Sequence, residues 1–516
     1  MMKISRRGLL TTGAAAGVLA ASGLPLRAQA KKGGRLRAGL SGANTSDSWD
    51  ARTHSDLFMI ASAQGSVFDS LTEIAADGTL KGELAESWEA SPDAKTWTFN
   101  LRPGVTFHNG KSFGADDVIE SLQMHVAEGA KSAAKPIVEP IVEMKKTGDL
   151  QVQLVLKDGN ADLPYLLSDY HILMYPAGQI EEAIAKGIGT GLYQVQSFEP
   201  GVRMVATRYA DHYKGDAAGF FDEIEYIAIN DNTARMNALM TGQVDAINRI
   251  DFKTEALLKA NPMIRIQEVT GNQHYIFPML TDVAPFSDVN VRKALKYGIN
   301  RQEMVDKILQ GHGKVGNDSP IGPANQYYQE MEQLAYDPDK AKFHLKEAGL
   351  DSLDIDLSAS SAAFEGAVDA AQLFQASAKA GGININVVQE PADGYWSNVW
   401  LKKPFCASYW SGRATEDWMF STAYAEGAPW NDSHWGSEQS PRFQELLVSA
   451  RAELDSAKRR EQYGEMQMIL RDEGGVLVPM FANYVQAVSS KVANPDTVGN
   501  LWQMDNARMA ERWWMA

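Results

Sequence analysis

Along this chain the spacing of apolar residues switches repeatedly between a period of two and a period near 3.6. Gly34 to Leu40 places Leu36, Ala38 and Leu40 at alternate positions, which puts them on one face of an extended strand. Trp97 to Leu101 repeats the alternation and ends at Pro103-Gly104, a turn signal. Asp116-Asp117 then opens a helical spacing through Val118, Ile119 and Leu122, with acids where the positive end of a helix favours them. Leu150 to Leu156 and Glu223 to Ile229 alternate again, and a helical stretch around Arg235 to Met240 ends at Gly242. In the C-terminal half the helices lengthen. Asp337 is placed to cap a helix with Pro338 at its first position and Gly349 at its close. A helix over about 365–379 stops at Gly381-Gly382 and leads into the strand Ile383 to Val387. Ser440-Pro441 opens another through Phe443, Leu446, Leu447, Ala450 and Leu454, and a last one carries Tyr463, Met466, Ile469 and Leu470 to Gly474-Gly475. Strands and helices alternating in more than one block, with no short repeat, predict a mixed α/β fold. A chain of 516 residues exceeds the ~100–200 residues of one domain, so at least two packing units are expected.

Composition narrows the function classes. The single cysteine, Cys406, excludes intrachain disulfides, cysteine-based zinc sites and iron–sulfur ligation. A net charge of −16 removes the broad basic field that non-specific nucleic-acid binding requires, so no nucleic-acid partner is expected.

The first thirty residues read as an export address. Ser5-Arg6-Arg7-Gly8-Leu9-Leu10 precedes a small-apolar stretch from Thr11 to Leu26, and Ala28-Gln29-Ala30 has the small-x-small form of a cleavage site. The pair Arg6-Arg7 resembles a twin-arginine signal, which would bring in the twin-arginine export machinery as a partner. The stretch is too rich in Ala, Gly and Thr for a membrane span, which needs ~20 strongly apolar residues. No cysteine lies near Ala30 to become an acylated N-terminal residue, so the processed chain is expected to be free in a periplasm and not lipid-anchored. Cleavage removes Lys3, Arg6, Arg7 and Arg27 and no acid, leaving a still more acidic body.

Three motif matches lack the context their chemistry needs. Gly110-Lys111-Ser112-Phe113-Gly114 fits the G-x-S-x-G nucleophile pattern but follows a His-Asn-Gly turn. Gly104 to Ser112 has five residues where a phosphate loop needs four. Gly311 to Gly316 fits G-x-G-x-x-G but follows a helix, where a dinucleotide site needs a preceding strand. The nine histidines do not share helical turns, so no metal site is predicted.

Four separated blocks are more specific. The first runs from Leu84-Ala85-Glu86-Ser87-Trp88 through Trp97-Thr98-Phe99-Asn100-Leu101-Arg102-Pro103-Gly104-Val105-Thr106-Phe107-His108-Asn109-Gly110-Lys111 to Ala115-Asp116-Asp117-Val118. The others are Gly189-Thr190-Gly191-Leu192-Tyr193, Ala238 to Asp245, and Pro285 to Leu295 continued by Ile299-Asn300-Arg301. Together they resemble solute-binding protein family 5, the extracytoplasmic receptors of peptide, nickel and related ABC importers. Leu192 departs from the family's usual proline, and Leu280 stands where many members have asparagine. The aromatic and apolar residues of these blocks (Trp88, Trp97, Phe99, Val105, Phe107) are expected in the core, and Asp245 and Arg292 in packing and caps.

The resemblance implies a two-lobed periplasmic binding protein of Venus-flytrap type with the ligand in the interlobe cleft. Residues 31–80, 185–280 and 478–516 would form one lobe, 281–477 the other, and 81–184 an extra domain on the first. It implies no enzyme activity and no cofactor, an ABC permease as partner, and a monomer. Peptide-binding members grip the ligand amino terminus with an acid after a tryptophan-containing strand. The corresponding stretch here is Ser408 to Trp418, in which Trp410 matches a pocket tryptophan and Arg413 stands where small and acidic residues are usual. A planar guanidinium there suits a ligand carboxylate, while Glu416 or Asp417 would serve a ligand ammonium or, for Asp417, cap a helix. Asn431, His434 and Trp435, and Asp47 and Trp49 in the segment after the first strand, complete the candidate contacts. Cys406 is expected to be a buried structural thiol. The ligand expected is a short peptide or an amino-acid-derived, opine-like carboxylate. A nickel or metal–chelate receptor, an oligosaccharide receptor, and a secreted hydrolase using Ser112 are the alternatives.

Overall fold

The structure, a computed structural model, describes residues 30–391 and 395–516. Arg6, Arg7 and Ala28 of the export signal lie outside the described residues; Ala30 is the first within them. Among the described residues no helix is long and apolar enough to cross a membrane.

The first lobe is built on a seven-stranded sheet. From one edge its order is Ile264–Val269, Tyr484–Ser489, Ala246–Ile247, Arg35–Leu40, Glu223–Ala228, Arg203–Arg208 and Tyr193–Glu199. The strand Arg35–Leu40 runs parallel to its two neighbours at the centre, and the outer pairs are antiparallel. Its alternating Leu36, Ala38 and Leu40 enter a core with Trp49, Phe58, Phe68, Tyr193 and Tyr226. At ~1.5–3 kcal/mol per fully buried large apolar side chain, such a core outweighs any single polar contact in the lobe.

The second lobe has a four-stranded antiparallel sheet in the order Gly313–Val315, Val476–Ala482, His274–Pro278 and Ser408–Trp410. Bridges from Phe405 to Met279 and from Cys406 to Ser358 join it to the parallel pair Leu353–Ala359 and Ile383–Gln389. Strand Val476–Ala482 is buried at every residue because both its faces are covered. Leu477, Met480 and Ala482 pack into one core, and Val476, Val478 and Phe481 into the other. Cys406 sits in the first of these, 2% exposed.

A third core belongs to the antiparallel sheet Ala85–Ala90, Thr96–Leu101, Gln151–Leu156, Ile141–Gly148. Trp97, Phe99, Leu101, Val152 and Leu154 face Val118 and Leu122 of the helix Ala115–Gln123.

The chain crosses between the large sheets twice, at residues 270–273 and at Asn483. These crossings differ from the expected boundaries at 280/281 and 477/478, because His274–Pro278 and Val476–Ala482 pair within the second sheet. A strand buried on both faces carries no periodic mark of which sheet it joins; its hydrogen-bond partners decide.

Near the C-terminus, Met504, Asp505, Asn506 and Ala507 form a left-handed helical turn, with φ of 54, 62, 58 and 61°. Each such residue costs ~1–2 kcal/mol. The turn is held by Asp505, which accepts from Gly499 N at 2.7 Å, Arg512 Nη1 at 2.9 Å and Trp513 Nε1 at 3.0 Å. Met504 N also donates to Gln486 Oε1 at 2.7 Å. Its tertiary contacts therefore over-determine the strained backbone.

Candidate functional site

The strand Ser408–Trp410 is an edge strand whose Tyr409 lies opposite Tyr275 and whose Trp410 lies opposite His274. Alternation sends Trp410 inward and leaves Tyr409 40% exposed. The chain then turns sharply. Gly412 has φ +81°, and a Cβ on it would fall 2.5 Å from Asn272 Cβ, so only glycine fits. The amides of Asn272 and Asn325 donate to the Arg413 carbonyl at 3.4 and 3.2 Å, and the Tyr484 hydroxyl donates to the Ser411 carbonyl at 3.3 Å.

This anchoring presents Arg413 where the lobes meet. Its guanidinium carbon lies 5.4 Å from the Trp410 ring and 5.6 Å from the Trp418 ring, a cation–π contact with each. Nη1 donates to Gly412 O at 2.7 Å, and Nε is buried without a partner. Burial pushes the guanidinium below the ordinary arginine value, among the charges and phenols of Tyr170, Asp169, Tyr484 and Tyr409. Asp169 is committed to His171, 2.6 Å away, and among the described residues no carboxylate pairs with Arg413. A half-buried cation without a hydrogen-bonded carboxylate is available to an anion.

Tyr170, Tyr409 and Tyr484 are its phenolic neighbours, and further rings pack nearby. Tyr170 meets Trp502 edge-on at 5.5 Å, Tyr275 stacks on Phe364 at 4.1 Å, and Trp396 lies 5.8 Å from Tyr409. Burial pushes the Tyr275 phenol up to about 12, so it stays a hydrogen-bond donor.

Behind Trp410 lies Asp432. It is 2% exposed, and its Oδ2 accepts from Trp400 Nε1 at 3.1 Å and Trp410 Nε1 at 3.3 Å, while Oδ1 is buried without a partner. Burial pushes its carboxyl from 3.8 up to about 7. The folded state therefore holds a proton between about pH 4 and 7 that the unfolded state has released. Stability from this group falls as pH rises through that window. Asp432→Asn should flatten this part of the profile: thermal melts should match wild type below about pH 4 and exceed it increasingly up to pH 8, by up to a few kcal/mol. A difference that does not change with pH would contradict a protonated Asp432.

Two lobes joined by two strand crossings match known proteins. A model of the bacterial extracellular solute-binding proteins, family 5, covers residues 79–432. The chain belongs to this family. It is 28% identical over 454 residues to the dipeptide-binding protein of Escherichia coli K12, covering 79% of this chain and 82% of that protein. The periplasmic binding protein AgaA of A.tumefacien R10, solved with agropinic acid, superposes with a TM-score of 0.77 at 22% identity, over 94% of this chain and 99% of AgaA. NikZ of Campylobacter jejuni, solved with Ni(L-His), gives 0.76 at 21% identity over 93% and 99%. The two-lobed binding-protein fold and the role of solute receptor for an ABC importer follow from these matches.

In this solute-binding protein the nine candidate contacts separate clearly. Arg413 lies against the Trp410 ring, while Trp410 itself is buried in the core of its own lobe. Glu416 is 1% exposed and accepts from Tyr327 N at 2.6 Å, anchoring a loop of its own lobe. Asp417 pairs with Arg451 at 3.0 Å and is not the helix cap; Thr415 caps Glu416–Ala423 by accepting from Trp418 N at 3.2 Å. Asn431 spends its amide on Ala425 O, Trp435 O and Trp435 N, at 3.0, 2.6 and 3.0 Å, clasping its own loop. His434 pairs with Asp282 at 2.8 Å, and Trp435 is a core residue against Phe443. Asp47 closes a turn with Asn44, and Trp49 packs on Phe198 in the first core. These seven do not gather around Arg413. Loops lack periodicity, so nothing local distinguishes a tryptophan facing inward from one facing a cleft.

Tyr170, Tyr275, Tyr409, Trp396 and Trp502 were not among the candidates, and only Tyr409, in the strand beside Trp410, carried a usable signal. The Ser112 hydroxyl is exposed on its turn, and among the described residues no histidine hydrogen-bonds to it. Three carboxylates, Glu73, Glu83 and Glu511, bring oxygens within 4.8 Å of one another, but Lys214, Arg508 and Arg512 supply their counter-charge.

Proposed function

We propose that this solute-binding protein captures a small carboxylate-bearing solute, peptide-like or opine-like, in the periplasm and delivers it to an ABC permease. The observation that carries this is Arg413: a guanidinium with no carboxylate hydrogen-bonded to it among the described residues, against the rings of Trp410 and Trp418, at a position where small and acidic residues are usual. A ligand carboxylate would pair with it in the cleft. Closure of the lobes would expel water and strengthen that pair, so the ligand favours the closed form by its differential affinity. The permease would then read the closed form. No bond is made or broken, and the family's members are binding proteins. Export through the twin-arginine route, cleavage after Ala30 and action as a monomer belong to the same proposal.

A thermal-shift panel tests it. Dipeptides and N-carboxyalkyl amino acids should raise the melting temperature, whereas nickel with free histidine and neutral oligosaccharides should not. Saturation at 100 times Kd is worth ~2.7 kcal/mol, well within detection. A larger shift from a neutral sugar than from any carboxylate would overturn the assignment.

A further inference from the structure

A second arginine reaches the cleft from the opposite lobe. Arg249 follows the strand Ala246–Ile247 and has φ +47°, a left-handed backbone that a bulky residue adopts only at a cost. The buried Arg235 holds that backbone, its Nη2 donating to the Arg249 carbonyl at 2.9 Å and its Nε to the Asn248 carbonyl at 3.0 Å. The Arg249 side chain is 49% exposed yet fixed in direction. Its Nη2 bonds Asp56 Oδ1 at 3.2 Å, and the Gln503 side-chain amide lies beside Nε, 2.9 Å away. Among the described residues, Nη1 has no partner.

Gln503 is delivered by the strained left-handed turn 504–507, which also positions Trp502 against Tyr170. Tyr484, the first residue after the second crossing, links the two sides. Its hydroxyl lies 3.3 Å from the Ser411 carbonyl, two residues before Arg413, and 2.9 Å from the Leu501 carbonyl, two residues before Gln503. The charges of Arg249 and Arg413 both act on this phenol, and that of Arg249 also acts on Tyr275 of the second sheet; both strained backbones serve the lobe that carries Arg249.

Resting on the carboxylate reading above, we infer that Arg249 is a second anion-binding residue, and that the solute carries two acidic groups, one for each lobe. Asp56 and Gln503 act as positioning residues that orient the fork. A diacid would tie the lobes together through Arg413 on one side and Arg249 on the other, so the second carboxylate contributes to closure itself. A monoacid fills only the Arg413 side.

Isothermal calorimetry with alanylglutamate and glutamylalanine, each against its glutamine counterpart, separates the two ideas. Wild type should bind at least one acid about tenfold or more tightly than its amide. Arg249→Gly should bring that acid down to the affinity of the amide and leave the amide unchanged. Glycine suits φ +47°, so the unliganded variant should melt at or above wild type, which removes misfolding as a cause. Wild-type binding of acid and amide alike, binding of neither, or an Arg249→Gly variant that keeps the preference would each overturn the inference. Arg413→Ala should lose acid and amide together. If Arg413→Ala binds normally while Arg249→Gly loses the preference, the Arg413 reading fails and Arg249 stands as the anion site.

Discussion

Arg413→Ala should abolish the thermal shift produced by carboxylate-bearing solutes while leaving the unliganded protein at least as stable as wild type. The two halves of this result have separate causes. Removing one partner of a desolvated, hydrogen-bonded charge pair costs ~2–5 kcal/mol of binding, at least about 30-fold in affinity. In the unliganded protein the same guanidinium lacks a carboxylate partner and has a buried Nε without an acceptor, so its burial is a cost and its truncation a relief. Thermal melts with and without the solute read both halves in one experiment. Arg413→Lys should recover little, since a point charge cannot reproduce a planar fork lying against two indoles. Undiminished shifts in Arg413→Ala would remove the residue from the site.

Arg508→Met should destabilise the fold by ~3–5 kcal/mol, the cost of stranding a buried charge. Arg508 is 3% exposed and pairs with Glu83 at 2.8 Å and Glu511 at 2.8 Å. Lys214 adds contacts of 3.1, 3.1 and 2.6 Å to Glu73, Glu83 and Glu511, and Arg512 adds one of 2.8 Å to Glu73. Burial disfavours an ionised Glu73, yet Arg508, Lys214 and Arg512 together hold its carboxyl well below the ordinary range. The network ties the last residues of the chain to the segment that leads into the extra sheet. Guanidinium unfolding midpoints should show the loss. The double variant Arg508→Met with Glu83→Gln should recover much of it, because the stranded carboxylate is then gone. As a control, breaking the exposed pair Arg442–Glu465 should change stability by less than about 1 kcal/mol. A small effect of Arg508→Met, similar to that control, would mean the network is not a unit.

How much of this was legible beforehand differs sharply between scaffold and site. The strands at 35–40, 96–101, 151–156, 223–228 and 383–389, and the helices Pro338–Glu347, Pro441–Ala452 and Ser456–Glu473, lie where periodicity and capping residues place them. Asp337, Ser440 and Asp455 cap those three helices with their own side chains. The cleft was half legible at best. Trp410 and Arg413 stood out because the resemblance located the strand and the charge departed from the usual pattern. Glu416 and Asp417 looked equally available for a ligand, but the helix they begin turns one toward Tyr327 N and the other toward Arg451. Arg249 carried no mark at all, since a left-handed arginine between Asn248 and Ile250 has no composition or spacing that announces it.

The sequence by itself determined the fold class, the family and the identity of one cation out of place, because these depend on short-range periodicity and on residues read in order. Only the tertiary structure decided where the chain crosses between lobes, and that the charges of Arg249 and Arg413, from opposite lobes, both act on the Tyr484 phenol. Those are properties of residues distant along the chain: Arg249, Arg413, Tyr484 and Gln503 meet only after both sheets have formed, and no local pattern encodes their distance.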